Sequence, residues 1–227
     1  MKNLSRCITI VVVVCLGLGG CASKAVPQWQ TASFNHMETF KQHYLAGDEQ
    51  NAERYFSKAI ADIKKSGRID ILAKGYLTKY AIQAATLEAI SGTEFLEINN
   101  VRPDRINMNF YTFLTGTFDT VDNEILPPRY KQFIVTFQDG TINELNRDIA
   151  HIKDPLSRLI AVGLTIKHRR YNEATLKIAL NTASVEGWKK ALVAYLKQIQ
   201  SLYENTGHKQ KAEQIQKQLN IIINKEK

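Results

Sequence analysis

The amino-acid sequence predicts an all-α protein built of antiparallel helical hairpins. From residue 33 onward, apolar residues recur at steps of three and four, which is the period of a helix with one buried face. Gly, Asp and Asn separate these segments at short intervals, as expected for turns between packed helices. The chain has 227 residues, and its three cysteines all lie within the first 21, so an apolar core rather than disulfide bonds must stabilise the body.

The first 20 residues have the pattern of a secretory signal peptide. Lys2 and Arg6 precede an uncharged, mostly apolar run of 12 residues, 7–18, and small residues follow it. A helix that spans a bilayer needs about 20 apolar residues, so this run is too short to be one. Removal of the signal would also remove Cys7 and Cys15, leaving one cysteine in the mature chain.

Residues 18–21 resemble the lipobox of bacterial lipoproteins, in which an aliphatic residue and two small residues precede a cysteine. Here these are Leu18, Gly19, Gly20 and Cys21. The resemblance implies cleavage after Gly20 and a diacylglyceryl thioether on Cys21, with acylation of its amine in a Gram-negative host. Each buried methylene contributes about 0.8 kcal/mol, so two or three acyl chains anchor a protein stably. The alternative is an ordinary cleaved signal with an incidental cysteine.

The residues after Cys21 indicate where the body is sent and how closely it is held. In this family, Asp directly after the cysteine retains a lipoprotein at the inner membrane. Ala22 here therefore favours the outer membrane, with the body facing the periplasm. Residues 21–32 are expected to form a short lipidated tether, because Pro27 and small polar residues disfavour a helix. Trp29 is expected either at the lipid interface or against the first helix.

Residues 33–227 are predicted to form one α-helical, repeat-like domain. Ser33 and Asp48 stand at the expected starts of the first two helices, and Gly47 and Gly67 at their ends. Further helices are expected over about 69–90 and 104–118, again from Arg129, and then from Pro155, Asn172, Trp188 and after Gly207.

Residues 91–128 are the hardest part to assign. Pro103 and two asparagines favour a loop over 99–103, whereas 104–118 has apolar residues at helical spacing but also many strand formers. We expect a helix there. A turn with three acids follows, Asp119, Asp122 and Glu124. Their spacing does not match a calcium loop, so an exposed acidic turn is predicted rather than a cation site.

Three junctions resemble the turn and second helix of a tetratricopeptide repeat. The first has the turn glycine, the small residues and the large residues of that pattern: Gly47, Ala52, Tyr55, Phe56, Ala59 and Ile60. Ala174 and Ala212 mark the other two, and a small alanine at this position lets two helices cross closely. The resemblance implies a degenerate array of stacked hairpins. The three alanines are 122 and 38 residues apart rather than one regular repeat, so a generic stack of helical hairpins is the alternative.

The charge of the chain is concentrated in its C-terminal half. The net charge is +8, and residues 129–227 hold 17 Lys and Arg against 9 Asp and Glu. In an envelope lipoprotein, this excess favours anionic partners such as phospholipid headgroups or acidic glycans. A solvated, lysine-rich helical surface is the simpler interpretation. Nucleic acid is not expected as a partner, because the signal places the body outside the cytoplasm.

The sequence contains none of the common catalytic motifs, and we expect no enzyme activity, cofactor or metal. The five histidines, His36, His43, His151, His168 and His208, form no i, i+4 pair and have no cysteine partner in the mature chain. The densest cationic cluster is Lys167, His168, Arg169 and Arg170 at an expected helix end. These residues are candidates for gripping an acidic partner, or they complement the helix dipole.

The sequence therefore predicts a lipid-anchored envelope lipoprotein that acts as a non-enzymatic scaffold for a protein or peptide partner. Assembly of outer-membrane machinery is one version of this role. Binding of an acidic envelope glycan or lipid by the basic C-terminal half is the alternative. An enzyme whose site is built from scattered carboxylates is the third class.

Overall fold

The computed structural model describes residues 26–223, and its secondary structure in that range consists of eleven α-helices and two short 3-10 turns. The helices are α1 Gln28–Ala46, α2 Glu49–Lys65, α3 Ile69–Ala85, α4 Thr93–Val101, α5 Arg105–Leu114, α6 Pro128–Asp139, α7 Ile142–His151, α8 Pro155–Lys167, α9 Glu173–Val185, α10 Lys189–Asn205 and α11 Lys209–Ile223. This range contains no strand, so the predicted all-α class is confirmed. The predicted signal peptide, the lipobox and Cys21 lie outside the described residues.

The first helix begins earlier than the sequence predicts. α1 starts at Gln28 rather than Phe34, so residues 28–32 of the expected tether are helical. Pro27 stands at the position before the first helical residue, where its missing N–H costs nothing. Ser33, which was expected to cap the helix, is instead buried inside it and donates to the carbonyl of Gln30 at 3.1 Å.

The three repeat-like junctions each connect two packed helices: α1 to α2, α8 to α9, and α10 to α11. In the first, Gly47 has φ of +85°, and the Asp48 carboxylate accepts from the N–H of Asn51 at 3.2 Å. The predicted cap at Asn172 is present, since its side chain accepts from the N–H of Thr175 at 3.1 Å. The alanines at all three junctions, Ala52, Ala174 and Ala212, begin the second helix of each pair, and Ala52 and Ala212 are buried.

The region from α3 to α6 differs most from the sequence prediction. α3 ends at Ala85 rather than near residue 90, because Leu87 has a left-handed backbone with φ of +61°. α4 runs through Val101, where a loop had been expected over 99–103. α5 ends at Leu114 instead of reaching 118, since Gly116 at φ of +75° turns the chain.

In a simple series of hairpins, each helix packs against its neighbours in sequence, and α3 does not follow this rule. This helix packs against α8, although α4 to α7 separate the two along the chain. Gly163 allows the close approach, because a Cβ there would overlap the carbonyl oxygen of Ala84. α10 packs over this junction, where the buried Tyr195 hydroxyl lies 3.0 Å from the carbonyl oxygens of both Ala85 and Leu159 and shares its one proton between them. α10 also contacts α1, so the first and last hairpins are close together.

Candidate functional site

The predicted cationic cluster lies where α8 ends. Asp154 starts this helix by accepting from the N–H of Ser157 at 2.8 Å, with Pro155 at the first helical position as predicted. At the other end, the N–H of Arg170 donates to the carbonyl of Thr165 at 2.8 Å. Arg169 turns the chain with φ of +55°, a conformation that glycine adopts far more readily. Its side chain is exposed.

The four side chains of the cluster do not form one patch. Lys167 lines a mainly apolar cavity of about 360 Å³ between the ends of α3 and α8. His168 and Arg170 instead line a surface pocket of about 550 Å³. Within residues 26–223, none of the four takes part in an ion pair. Their positive charges are therefore not neutralised by carboxylates of the described body.

The surface pocket combines two aromatic rings with two basic groups. The His168 ring stacks on Phe118 at 4.8 Å between centroids and meets Phe137 edge-on at 5.1 Å. The Arg170 guanidinium lies 5.1 Å from the centroid of Phe137 and donates to the carbonyl of Gly140. These contacts fix the orientation of both basic groups. The Asp119 carboxylate lines the pocket as well, so the Arg170 guanidinium is the group in it that suits an anionic partner with an apolar or planar neighbour.

The position of Lys167 beside the apolar cavity can be explained without a bound partner. Three helices, α3, α5 and α8, end around it, and Ala84, Leu114 and Leu164 from their last turns line it. A helix C-terminus has the equivalent of about −0.5 charge, so a cation among three such ends is favourable. Lys167 therefore has a structural role, whereas Arg169 and the two pocket residues are the better candidates for a partner.

A partly buried ion network links this cavity to the first hairpin. Glu88 lines the cavity and binds Lys190 at 2.7 Å, while the Tyr44 hydroxyl donates to it. Lys190 also binds Glu49 at 3.1 Å and lies 4.1 Å from the Tyr44 ring centroid. Burial lowers the pKa of Lys190, but its two carboxylate partners outweigh this and raise it. Burial and Glu88 raise the pKa of Tyr44 as well.

The ion network around Lys190 was not predicted from the sequence. Lys190 follows another lysine, Lys189, and nothing in the local pattern separates the buried one from the exposed one except its position on the helical stripe. Its partners come from elements more than 100 residues away in the sequence.

A groove on the surface lies between α6 and α7. Two adjoining pockets of about 660 and 540 Å³ share Gln132, Asp148 and His151 as lining residues, so they form one elongated depression. Val135 lines it and is 44 % exposed. The Gln132 amide donates to the Thr136 hydroxyl, which donates to Asp148. Charged side chains of both signs also line the depression: Arg129, Asp139, Glu144, Arg147, Lys153 and Asp154. An elongated groove with polar and apolar walls matches the shape of an extended peptide.

The acidic turn is held by ordinary ion pairs. Asp122 binds Arg105 at 2.5 Å, and Glu124 lies 3.7 Å from Lys131. Across residues 26–223, no group of three or more His, Cys, Asp or Glu side chains is arranged to hold a metal ion.

Two histidines pair with aspartates at 3.0 Å, His36 with Asp62 and His43 with Asp48.

Comparison with family models, curated proteins and solved structures gave no match to this chain. In the described part of the chain, no helix combines the length and the apolar character needed to cross a membrane. The function must therefore be argued from the residues themselves.

Proposed function

We propose that this protein is a lipid-anchored envelope scaffold, held at the outer membrane through an acylated Cys21. The observation that carries the proposal is the close succession of Leu18-Gly19-Gly20-Cys21 and the first helix of a folded body, which begins at Gln28. Only six residues, 22–27, separate the acylated position from α1. A body tied this closely to its lipid works at the membrane surface.

The scaffold role is supported by the groove between α6 and α7. Its elongated shape and the exposed Val135 suit an extended peptide segment from a partner. The helical framework around it is rigid, because buried aromatic residues of α5 and α6 pack beneath it, with Phe113 4.6 Å from Tyr130 between ring centroids. A rigid groove lowers the entropy cost of binding.

A second candidate function is the binding of an acidic envelope glycan or lipid. Two observations favour it: Arg169 occupies a position that glycine would fill with less strain, and His168 and Arg170 are oriented beside Phe118 and Phe137. Binding of this kind depends on charge and weakens steeply as ionic strength rises. Binding of a peptide in the α6–α7 groove is expected to persist at the same salt concentrations, since apolar contacts are not screened.

The anchor is tested by Cys21→Ala, with Cys15→Ala as the matched control. Cys21→Ala removes the acylated thiol, whereas Cys15→Ala changes a cysteine within the signal and leaves the lipobox intact. We expect Cys21→Ala to move the protein from the membrane fraction to the soluble fraction, and Cys15→Ala to leave it in the outer-membrane fraction. Mass spectrometry of the N-terminal peptide should show a diacylglyceryl group on Cys21 in the unmodified protein. A membrane-bound Cys21→Ala protein would contradict the proposal.

The scaffold role is tested by crosslinking in intact cells with Val135→Glu and Val185→Glu. Both valines are exposed, at 44 % and 75 %, but only Val135 lines the groove. We expect Val135→Glu to abolish a crosslinked species that Val185→Glu retains. Equal crosslinking in the two variants would show that the groove is not the binding surface.

A further inference from the structure

The N-terminal part of α1 exposes apolar side chains and lacks charge. Val26 is 62 % exposed and Phe34 is 63 % exposed, whereas large apolar side chains further along the helix, such as Phe40 and Leu45, are buried. Residues 25–37 contain no Asp, Glu, Lys or Arg. The charged groups beside this part of α1 come from α2, where Asp62 pairs with His36 at 3.0 Å. The exposed Val26 and Phe34 are unfavourable in water, and a partner that removes them from water would stabilise the protein.

The position of this surface indicates what that partner is. Five residue steps separate Cys21 from Val26, which span at most about 18 Å even when the chain is fully extended. When the acyl chains of Cys21 lie in a bilayer, Val26 is therefore held at the level of the headgroups or just above them. No other large molecule is held so close to Val26 and Phe34 by the covalent structure of the chain.

The first turn of α1 also suits a lipid surface electrostatically. It has no acidic residue, and no side chain caps its free N–H groups. The N-terminus of a helix has the equivalent of about +0.5 charge, which attracts anionic headgroups. The half-buried Trp29 lies in this same turn, and its indole suits the boundary between apolar and polar layers.

We propose that Val26 and Phe34, the N-terminal apolar surface, insert into the interfacial layer of the bilayer beside the lipid anchor. This inference rests on the proposed acylation of Cys21. The acyl chains hold the protein at the membrane, and the N-terminal apolar surface fixes how the body is oriented on it. α1 is 19 residues long, so its other end, with Tyr44 and the Lys190 network, lies about 28 Å from Gln28.

The test uses the cysteine content of the mature chain. Because the Cys21 thiol is blocked by its thioether, Phe34→Cys introduces the one free thiol of the lipidated protein, and an environment-sensitive fluorophore can be attached there. Val185→Cys is the matched control, since Val185 is 75 % exposed and precedes by five residues Lys190, which contacts Tyr44 near the far end of α1. Both labelled proteins are reconstituted into vesicles of phosphatidylethanolamine and phosphatidylglycerol that contain brominated acyl chains.

We expect brominated lipid to quench the fluorophore at position 34 by about twofold or more, because interfacial apolar side chains reach about 5–10 Å into the bilayer. The fluorophore at position 185 should be quenched little. Flotation of the vesicles, measured on the same samples, reports whether the anchor holds the protein.

Three outcomes would overturn the inference, and they can be told apart. If the protein floats with the vesicles but positions 34 and 185 are quenched equally, the inference fails while the anchor stands. If the protein does not float, the anchor fails and the inference with it. If oxidation on plain vesicles links two unlabelled chains of the Phe34→Cys variant and the fluorophore at position 34 remains unquenched, a second copy covers this surface instead of lipid.

Discussion

Arg169, like Leu87, is a residue with a Cβ in a backbone conformation that favours glycine. Its φ of +55° lies in the left-handed region, which costs a residue with a Cβ about 1–2 kcal/mol. Six glycines of the described chain have positive φ, among them Gly47, Gly187 and Gly207 at other helix ends. Arg169 is exposed and forms no ion pair within residues 26–223, so the helix dipole at the end of α8 is the interaction within the folded body that favours a cation there. A role in binding an anionic partner would supply a second reason.

Arg169→Gly should therefore stabilise the protein. We expect the free energy of unfolding to rise by about 0.5–1 kcal/mol, because relief of the left-handed strain exceeds the entropy that glycine adds to the unfolded chain. Urea denaturation at neutral pH measures the change. Arg169→Lys is the control, since it retains both the strain and the charge. A variant that is no more stable than the unmodified protein would mean that the conformation is not strained.

At the scale of elements, the contact between α3 and α8 is close enough to need a glycine. Gly163 faces the backbone of Ala84, which cannot move away without displacing α3. A Cβ added at Gly75, also within a helix, would lie 3.1 Å from the Cδ1 atom of Ile60, and that side chain can rotate. The two glycines thus occupy similar helical positions against neighbours of very different rigidity.

We expect Gly163→Ala to destabilise the protein by about 1–3 kcal/mol, because the new methyl group forces the two helices apart. Gly75→Ala should change the free energy of unfolding by less than about 1 kcal/mol, since the gain in helix propensity offsets a small side-chain shift. Thermal unfolding followed by circular dichroism compares the two. Equal losses would show that helix separation does not depend on Gly163.

Tyr195 makes the same junction sensitive to alkaline pH. Burial raises the pKa of its hydroxyl above the ordinary value of 10.0, so the folded protein retains this proton where the unfolded chain loses it. Its contribution to stability is complete below about pH 10 and is lost as the pH rises through the raised pKa.

Tyr195→Phe should cost about 1–2 kcal/mol at neutral pH, because the shared hydrogen bond is lost and two buried carbonyl oxygens lose their common donor. The variant should also lose less stability than the unmodified protein between about pH 9 and pH 11. Denaturant unfolding at several pH values measures both effects. If the two proteins respond equally to alkaline pH, the Tyr195 hydroxyl is not a source of the pH dependence.

The helices that the sequence specifies locally were predicted well. Asp48, Asp154 and Asn172 are caps whose residue type and position suffice to place a helix start, and the structure has all three. α4 and the early start of α1 were not predicted, because Val101 and Pro27 border those helices where local propensity favours a loop. The division of the cationic cluster between two cavities depends on Phe118 and Phe137, which approach α8 only in the folded chain. No periodicity in α8 itself contains that information.

At the scale of the whole molecule, Lys190 connects the two ends of the described chain. Its side chain is 16 % exposed and binds Glu49 of α2 and Glu88 after α3, so α10 is tied to the first three helices. The neighbouring Lys189 is exposed and forms no ion pair within residues 26–223. Variants of Lys189 and Lys190 therefore separate the effect of the ion network on stability from the effect of positive charge alone.

Lys190→Ala should lower the free energy of unfolding by about 1–2 kcal/mol, because Glu88 loses its charged partner while staying half-buried. Lys189→Ala should have an effect within about 0.5 kcal/mol. Chemical denaturation of the two variants at the same ionic strength checks this. If Lys189→Ala is as harmful as Lys190→Ala, the network adds nothing beyond the net charge.

The contact between α3 and α8 has a consequence for how the chain folds. In an open array, each hairpin can fold as soon as it leaves the ribosome or the membrane, because it contacts only its neighbours. Here the main contact of α3 is with α8, which follows it after about 70 residues of chain, so the apolar face of α3 stays exposed until α4 to α7 have been synthesised. A chain with such a delayed contact folds more slowly than a local array and exposes apolar surface in the meantime. We therefore expect refolding from denaturant to be limited by the step that brings α8 onto α3.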